Sequence, residues 1–475
     1  MKYCPNPDCR YALRHQESQE YRDEAVTCAD CGAELLSERP AWTAVATRPR
    51  DLPWIRLALA VLVPLLVVWL GPKIPLPRLD RGQLELLGPY SDQVSLSVFA
   101  LGLTPILGAF WLVELAALCV PRWRPLRTGG PSGRGRLLWA THRLGLALAC
   151  VQALGVAAYL DKLGALESDR RLSRLLVVFT LVAGACLLVA ATEFLDGAAV
   201  GGGFSLLVTA FALPSLRPLG AILAPMTLAG GALLLVALGT IFVLRWRPAG
   251  GPGKPSAVPL PACGLVPLQW SAAIAAGALI AAEYGIWPEA LRAFGTGTGA
   301  GALAVGLALT AGLGVAWGSL FNRPSKVAAF GPGAGGRVAR AVARSTVYVL
   351  GLASVGWLVG RQLDLPSFSV VPLVAVAALV LDVVAEAAAI QRHGELVPVW
   401  PEHRLYAVDG ALAALDRGGV PGLARSVHQR VLWHFFAPFI PVQIMVPRER
   451  AEEAGALLLD YFQAGRAPCV NKDHG

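Results

Sequence analysis

Cys4, Cys9, Cys28 and Cys31 are spaced Cys-x4-Cys, then eighteen residues, then Cys-x2-Cys-Gly. Thiolates in two close pairs are a donor set for a tetrahedral metal site, each pair forming one knuckle around the ion. Zinc suits four sulfurs because it is borderline soft and indifferent to ligand-field geometry, and its binding would supply most of the folding free energy of so small a unit. Four protein ligands leave no open coordination position, so the predicted site holds one structural zinc ion and no substrate. Reduced thiols or disulfides are the other readings of the same residues; a reducing compartment favours the metal. Cys119, Cys150, Cys186 and Cys263 lie in or beside apolar runs and read as small packing residues, and Cys469 has no assignment. The chain offers no acid, base and nucleophile set and no nucleotide loop, so it is not expected to be an enzyme.

The elements around this module belong to a membrane protein. Hydrophobic residues make up 55% of the 475 and charged residues 15%, against about 25% charged in an ordinary soluble domain. Apolar runs near the ~20 residues that cross a bilayer recur at 54–70, 97–120, 137–160, 175–191, 204–213, 219–244, 265–282, 301–320, 338–359 and 371–390. The fifth is short and follows Gly201, Gly202 and Gly203, so it is expected to be tilted or broken. Residues 121–143 carry Arg122, Arg124, Arg127, Arg134, Arg136 and Arg143 with no acid, and 245–261 and 322–344 repeat the pattern. Those loops are cytoplasmic by the positive-inside rule, and an even number of spans then places both termini in the cytoplasm. The net charge of +9 mostly reflects this asymmetry and gives no argument for nucleic acid. No cleavable signal peptide is expected, since the first apolar run begins beyond residue 50. Domains are predicted at 1–38 (zinc ribbon), 39–53 (linker), 54–399 (membrane) and 400–466 (a small α+β unit), with a tail at 467–475.

Residues 99–160 read FALGLTPILGAFWLVELAALCVP, a basic loop, then PSGRGRLLWATHRLGLALACVQALGVAAYL. This stretch resembles the second and third transmembrane segments of SecY, the protein-conducting channel, including a turn at Ser132, Gly133 and Arg134. Other segments resemble the same family in order: KIPLPRL after the first run, TEFLDGAAVGGGFSLLVT at 192–209, PLPACGLVP at 259–267, LFNRP at 320–324, and 365–385 with its acid Asp382. The resemblance implies an all-α polytopic membrane protein with ten transmembrane helices in two inverted halves. It implies a bacterial inner-membrane location, a lipid bilayer as solvent, a polypeptide substrate and a small SecE-like partner subunit. It also carries a pore ring over to Leu103, Leu107, Val208, Gln269 and Ala375. Branched aliphatics at such a ring seal by dewetting and yield to a passing chain. Gln269 and Ala375 depart from that rule, and ordinary helix packing is the competing reading of each ring residue. Glu193 and Asp382 are costly at membrane depth, so each is expected to be functional or to sit in a buried pairing.

Three departures from SecY bear on function. Residues 80–97 are short and lack the family's Gly-Gly element, which argues against a full plug helix. The loops 245–261 and 322–337 are short and Gly-rich where SecY engages ribosomes and a motor ATPase, which argues against ordinary docking of either. At the C-terminus, ALAALDRGGVPGLARS predicts an amphipathic helix ending at Gly418 and Gly419, followed by a strand; PVQIMVPRERAEEAGALLLDYF predicts a strand, a turn and a last helix. This ending is similar to a small bacterial ferredoxin-like domain of a signal-transducing type. Trp433, Phe435, Phe436 and Phe439 read as a binding patch or as core and membrane contact. The preferred function is polypeptide translocation or membrane insertion by a specialised SecY-like channel. The alternatives are a non-translocating membrane scaffold or sensor presenting two cytosolic modules and, more weakly supported, a small-solute pore.

Overall fold

The computed structural model describes residues 2–5, 20–21, 25–29, 32–37, 53–79, 96–123, 125–126, 131–167, 169–213, 228–245, 261–283, 300–321, 334–362, 369–402, 405–433 and 442–464. Several predicted features fall outside them: Cys9 and Cys31, the linker at 39–52, residues 80–95 of the plug region, 246–260 and 322–333 of the docking loops, Phe435, Phe436 and Phe439, and the tail. The chain forms two compact units, one of residues 54–383 with 428–440, the other of residues 1–53, 384–427 and 441–475.

Each of the ten apolar runs carries a helix: α1 (Pro53–Leu70), α2 (Thr104–Cys119), α3 (Pro131–Lys162), α4 (Arg170–Ala198), α5 (Gly203–Ala212), α6 (Leu228–Arg245), α7 (Val266–Glu283), α8 (Ala300–Phe321), α9 (Ala334–Gln362) and α10 (Val371–His393). In lipid a segment must satisfy its own backbone groups, which is why an unbroken apolar run becomes a helix. Among the described residues, five of them (α3, α4, α8, α9 and α10) include stretches long and apolar enough to cross a membrane. One expectation is corrected: Ser132, Gly133 and Arg134 are not a turn but the opening of α3, which starts at Pro131. Proline suits a first helical position, where its missing N–H is not needed.

Small residues set the packing. Ala149, Ala153 and Ala157 recur every fourth residue on α3 and are buried with Val177, Leu181 and Ala185 of α4. Without a hydrophobic drive between helices in lipid, such small faces let backbones approach and gain dispersion contacts. Polar ties are few and specific: Thr240 of α6 and Tyr348 of α9 are 2.7 Å apart, and the Ala262 N–H donates to Ser345 Oγ at 2.6 Å. At the ends of α3 and α4, Arg78 pairs with Glu167 at 2.9 Å and Arg174 pairs with Asp161. The outward faces are apolar. Phe179 is 73% exposed, and Leu175, Leu235, Val347 and Trp54 are also exposed. Apolar surface on so many helices exceeds what a soluble monomer shows and fits a lipid solvent.

The second unit contains two β structures. Near the N-terminus, β1 (Lys2–Tyr3) pairs antiparallel with β2 (Glu20–Tyr21), and a bridge from Thr27 to Glu34 closes a turn at Cys28. Farther along come β3 (Leu396–Glu402), α11 (Leu405–Arg417), β4 (Leu423–Arg425), α12 (Val427–Leu432), β5 (Val442–Pro447) and α13 (Ala451–Ala464). The sheet order is β3-β5-β4, antiparallel throughout. Ile444 and Val446 of β5 are buried against Leu415 of α11 and Leu458 of α13, so alternate strand residues meet one stripe of each helix. β3 opens ahead of residue 400 because Gly394, at φ 74°, ends α10, and LVPVW then takes up a strand instead of prolonging the apolar helix.

Candidate functional site

Short, buried α5 is the first component. Its ten residues span about 15 Å, half a bilayer core. Gly203, Phe204, Ser205, Leu206, Leu207, Thr209 and Ala210 are all buried. The chain enters it from α4 through Gly201 and Gly202, at φ 93° and 78°, a region that costs a side chain but not glycine. A Cβ on Gly203 would lie 2.1 Å from the Thr192 carbonyl oxygen, so α4 and α5 meet here backbone to backbone. Asp196 Oδ1 accepts from the Gly203 N–H at 2.5 Å and satisfies one free donor of the new helix.

Facing α5 is α2. Leu103, the residue capping α2, and Leu107, Phe110 and Trp111 recur at the helical spacing and share one stripe. Phe110 meets Phe204 of α5 edge to face at 6.0 Å, and Trp111 meets Trp270 of α7 at 4.9 Å. The stripe bearing Leu103 and Leu107 is thereby aimed between α5 and α7. Leu103 is buried; Leu107, Val208 and Gln269 are half-buried; Ala375 of α10 is buried.

A polar cluster joins these elements. Asp382, on α10 and 4% exposed, accepts at Oδ1 from the His428 N–H at 3.1 Å and lies 2.7 Å from His428 Nδ1; its Oδ2 accepts from the Gln429 N–H at 2.9 Å. It thereby caps α12 from a buried position. Gln429 Nε2 donates to the Ala375 carbonyl at 2.6 Å and to Thr209 Oγ1 at 3.4 Å, while its Oε1 accepts from Trp433 Nε1 at 2.6 Å. The Leu265 N–H, at the start of α7, donates to the Leu432 carbonyl at 3.0 Å. Thus His428 to Trp433 bond to α5, α7 and α10, the elements that carry three of the five ring positions. Glu193 differs: it is exposed and is not part of this cluster, whereas Asp196, three residues on, does the capping. Sequence reasoning missed His428, Gln429 and Thr209.

At the N-terminal cysteines, Cys4 and Cys28 are both buried and share a small core with Leu35, packed by Tyr21. The Cys28 N–H donates to the Ala33 carbonyl and the Gly32 N–H to the Cys28 carbonyl, with Gly32 at φ 71°, the left-handed position that a tight Cys-x2-Cys-Gly loop requires. Tyr21 Oη lies 3.2 Å from Cys28 Sγ. Of the four cysteines, Cys4 and Cys28 are thus brought into one buried core, and among the described residues no group of three metal-ligating side chains is assembled.

A family profile described as SecY matches residues 97–245, which cover α2 to α6. Among curated relatives, the protein translocase subunit SecY of Corynebacterium glutamicum is 36% identical over 125 residues, covering 25% of this chain and 28% of the relative. That of Mycobacterium tuberculosis is 31% identical over 123 residues, 24% of this chain and 28% of the relative. That of Pseudomonas aeruginosa is 29% identical over 182 residues, 35% of this chain and 41% of the relative. The chain therefore spans well under half the length of the curated relatives it matches. A solved structure concerned with the plug domain of the SecY protein aligns at a TM-score of 0.42 and 12% identity, over 75% of this chain and 96% of that one. Residues 97–245 are thus similar to SecY, in a chain whose described residues include five helices long and apolar enough to cross a membrane.

Proposed function

We propose that this chain is a conduit for polypeptides in the bacterial plasma membrane, moving them across or into the bilayer. The observation that carries this reading is the convergence of α2, α5, α7 and α10 around one buried centre, within a chain that resembles translocase subunits where α2 and α5 lie. In this reading α1 to α10 are ten spans in two inverted halves, with both termini cytoplasmic and a SecE-like subunit beside them. Leu103, Leu107 and Val208 line the narrow part; aliphatic side chains there exclude water without gripping any one sequence. Gln269 and Ala375 make the ring wetter and wider on one side. The conduit supplies no energy itself, so movement depends on another protein or on the substrate's own preference for lipid, which is worth fractions of a kcal/mol per apolar residue. Site-specific crosslinking from Leu107 to a passing chain tests the reading: adducts with exported or inserted polypeptides support it, and their absence from an intact protein contradicts it.

The N-terminal module is, in the same proposal, a zinc ribbon with Cys4, Cys9, Cys28 and Cys31 holding one structural ion, and the β3 to β5 sheet with α11 and α13 is a ferredoxin-like accessory domain. Thiolate ligation would fix the two knuckles and leave no coordination site for chemistry. Purified full-length protein is expected to carry one zinc per chain, and the Cys4→Ser, Cys28→Ser double variant close to none. Elemental analysis reading no zinc in the parent chain would remove the ribbon and leave the conduit untouched.

A further inference from the structure

We propose that residues 428–433 are an internal strut that fastens two sets of helices in the membrane unit to each other and holds α5, α7 and α10 at a fixed separation. The extensive helix packing among the described residues falls into two sets. In the first, α2 packs on α3, α3 on α4 and α4 on α5; in the second, α7 packs on α8, α8 on α9 and α6 on α9. Contacts across the seam include the edge-to-face pair of Trp111 on α2 and Trp270 on α7. α10 comes against the first set at the glycine turn before α5, where a Cβ on Gly201 would stand 2.8 Å from Val383 Cγ2. Lipid gives no hydrophobic drive to close such a seam, so close packing and polar bonds must hold it.

His428 to Trp433 belong to the same compact unit as these helices, and they bond to both sets. Gln429, fully buried, donates through Nε2 to Thr209 Oγ1 of α5 at 3.4 Å and to the Ala375 carbonyl of α10 at 2.6 Å. Its Oε1 accepts from Trp433 Nε1, so both ends of the amide are used. Farther along, the Leu432 carbonyl accepts from the N–H of Leu265, the residue just before α7. Asp382 of α10 holds the front of the segment through the His428 and Gln429 N–H groups. One short segment thus reaches the first set at α5, the second at α7, and α10 as well. Thr209 is 2% exposed and Asp382 4%, so no bulk water stands ready to replace these bonds, and breaking one leaves a buried polar group behind. That cost is what makes the strut specific for one spacing of the helices.

In a polypeptide conduit, the reading on which this consequence rests, the strut fixes the wall. Thr209 adjoins the ring position Val208, and Ala375 is itself a ring position. Gln429 is there a positioning residue, acting through α5 and α10.

Distances between spin labels on the full-length protein in lipid nanodiscs test the strut, the labels being carried by unnatural side chains at exposed positions. Positions 187 on α4 and 347 on α9 report across the seam, and positions 154 on α3 and 187 report within the first set. Gln429→Met keeps the length of the side chain and removes its amide. It is expected to raise the share of molecules at a longer 187–347 distance roughly tenfold, the population shift for losing about one buried hydrogen bond. Asp382→Asn is expected to act in the same direction, and the 154–187 distance to stay as in the parent. An unchanged 187–347 distribution in both variants overturns the strut. So does a 154–187 distance that lengthens equally, since that is general loosening. If one variant fails to accumulate in the membrane, the other decides. The labels read the seam whether or not polypeptides pass, so an absence of adducts from position 107 removes the conduit and leaves the strut standing.

Discussion

Replacing Arg425 with methionine is expected to cost the β3 to β5 sheet about 3–5 kcal/mol, the usual effect of breaking one side of a buried ion pair. Arg425 Nε donates to Glu386 Oε2 at 3.0 Å, and its Nη1 donates to Gln443 Oε1 at 3.2 Å on the neighbouring strand. The two charged side chains are 7% and 2% exposed. At that burial the attraction does not greatly exceed the desolvation of both ions, so the pair adds little in net terms. The large loss comes from leaving the Glu386 carboxylate without its cation. The double variant Glu386→Gln, Arg425→Met should therefore recover more than half of the loss. Hydrogen exchange of the β4 and β5 amides in the full-length protein reads this directly, since local opening free energies are what exchange reports. Equal protection in the parent and in Arg425→Met would contradict the pair's structural role.

The second large effect is expected at Gly203. An alanine Cβ there would sit 2.1 Å from the Thr192 carbonyl oxygen, 2.7 Å from Leu195 Cβ and 2.8 Å from the Asp196 backbone nitrogen. Two of the three are backbone atoms of α4, which cannot swing aside as a side chain would. The variant can fold only by separating α4 from α5, which also lengthens the Asp196 bond to the Gly203 N–H. Overpacking of this kind costs about 1–3 kcal/mol, and Gly203→Ala should fall at the upper end. A lower midpoint of thermal unfolding in detergent is the expected readout. An unchanged midpoint would mean that the approach of the two helices is looser than described.

The helices were legible because a membrane segment declares itself by composition alone: a run of apolar residues has no other way to satisfy its backbone in lipid. Hydropathy told less about length. α3 begins at Pro131 instead of near 137, since polar residues at the membrane surface extend a helix without adding to its apolar signal. Asp382 was visible as an acid in an apolar run, but its partners lie more than forty residues away in a different secondary-structure context, and no periodicity links them. Trp433 was noticed only as part of an aromatic patch; its bond to Gln429 depends on where α12 starts. The same dependence separates Glu193 from Asp196. Both acids precede the glycines, and only the position of the first turn of α5 decides which can cap it. At the cysteines only one local feature can be compared with the spacing: Gly32, after the second pair, takes the left-handed φ of 71° beside buried Cys28.

The most direct measurement is crosslinking from two positions of the full-length chain in living cells: Leu107, aimed between α5 and α7, and Phe179, 73% exposed on the outward face of α4. A photo-reactive residue at 107 is expected to capture exported or membrane-inserted polypeptides, and one at 179 to capture lipid in their place. Equal polypeptide capture from both positions, or none from 107 in a protein that accumulates normally in the membrane, would contradict a central polypeptide path.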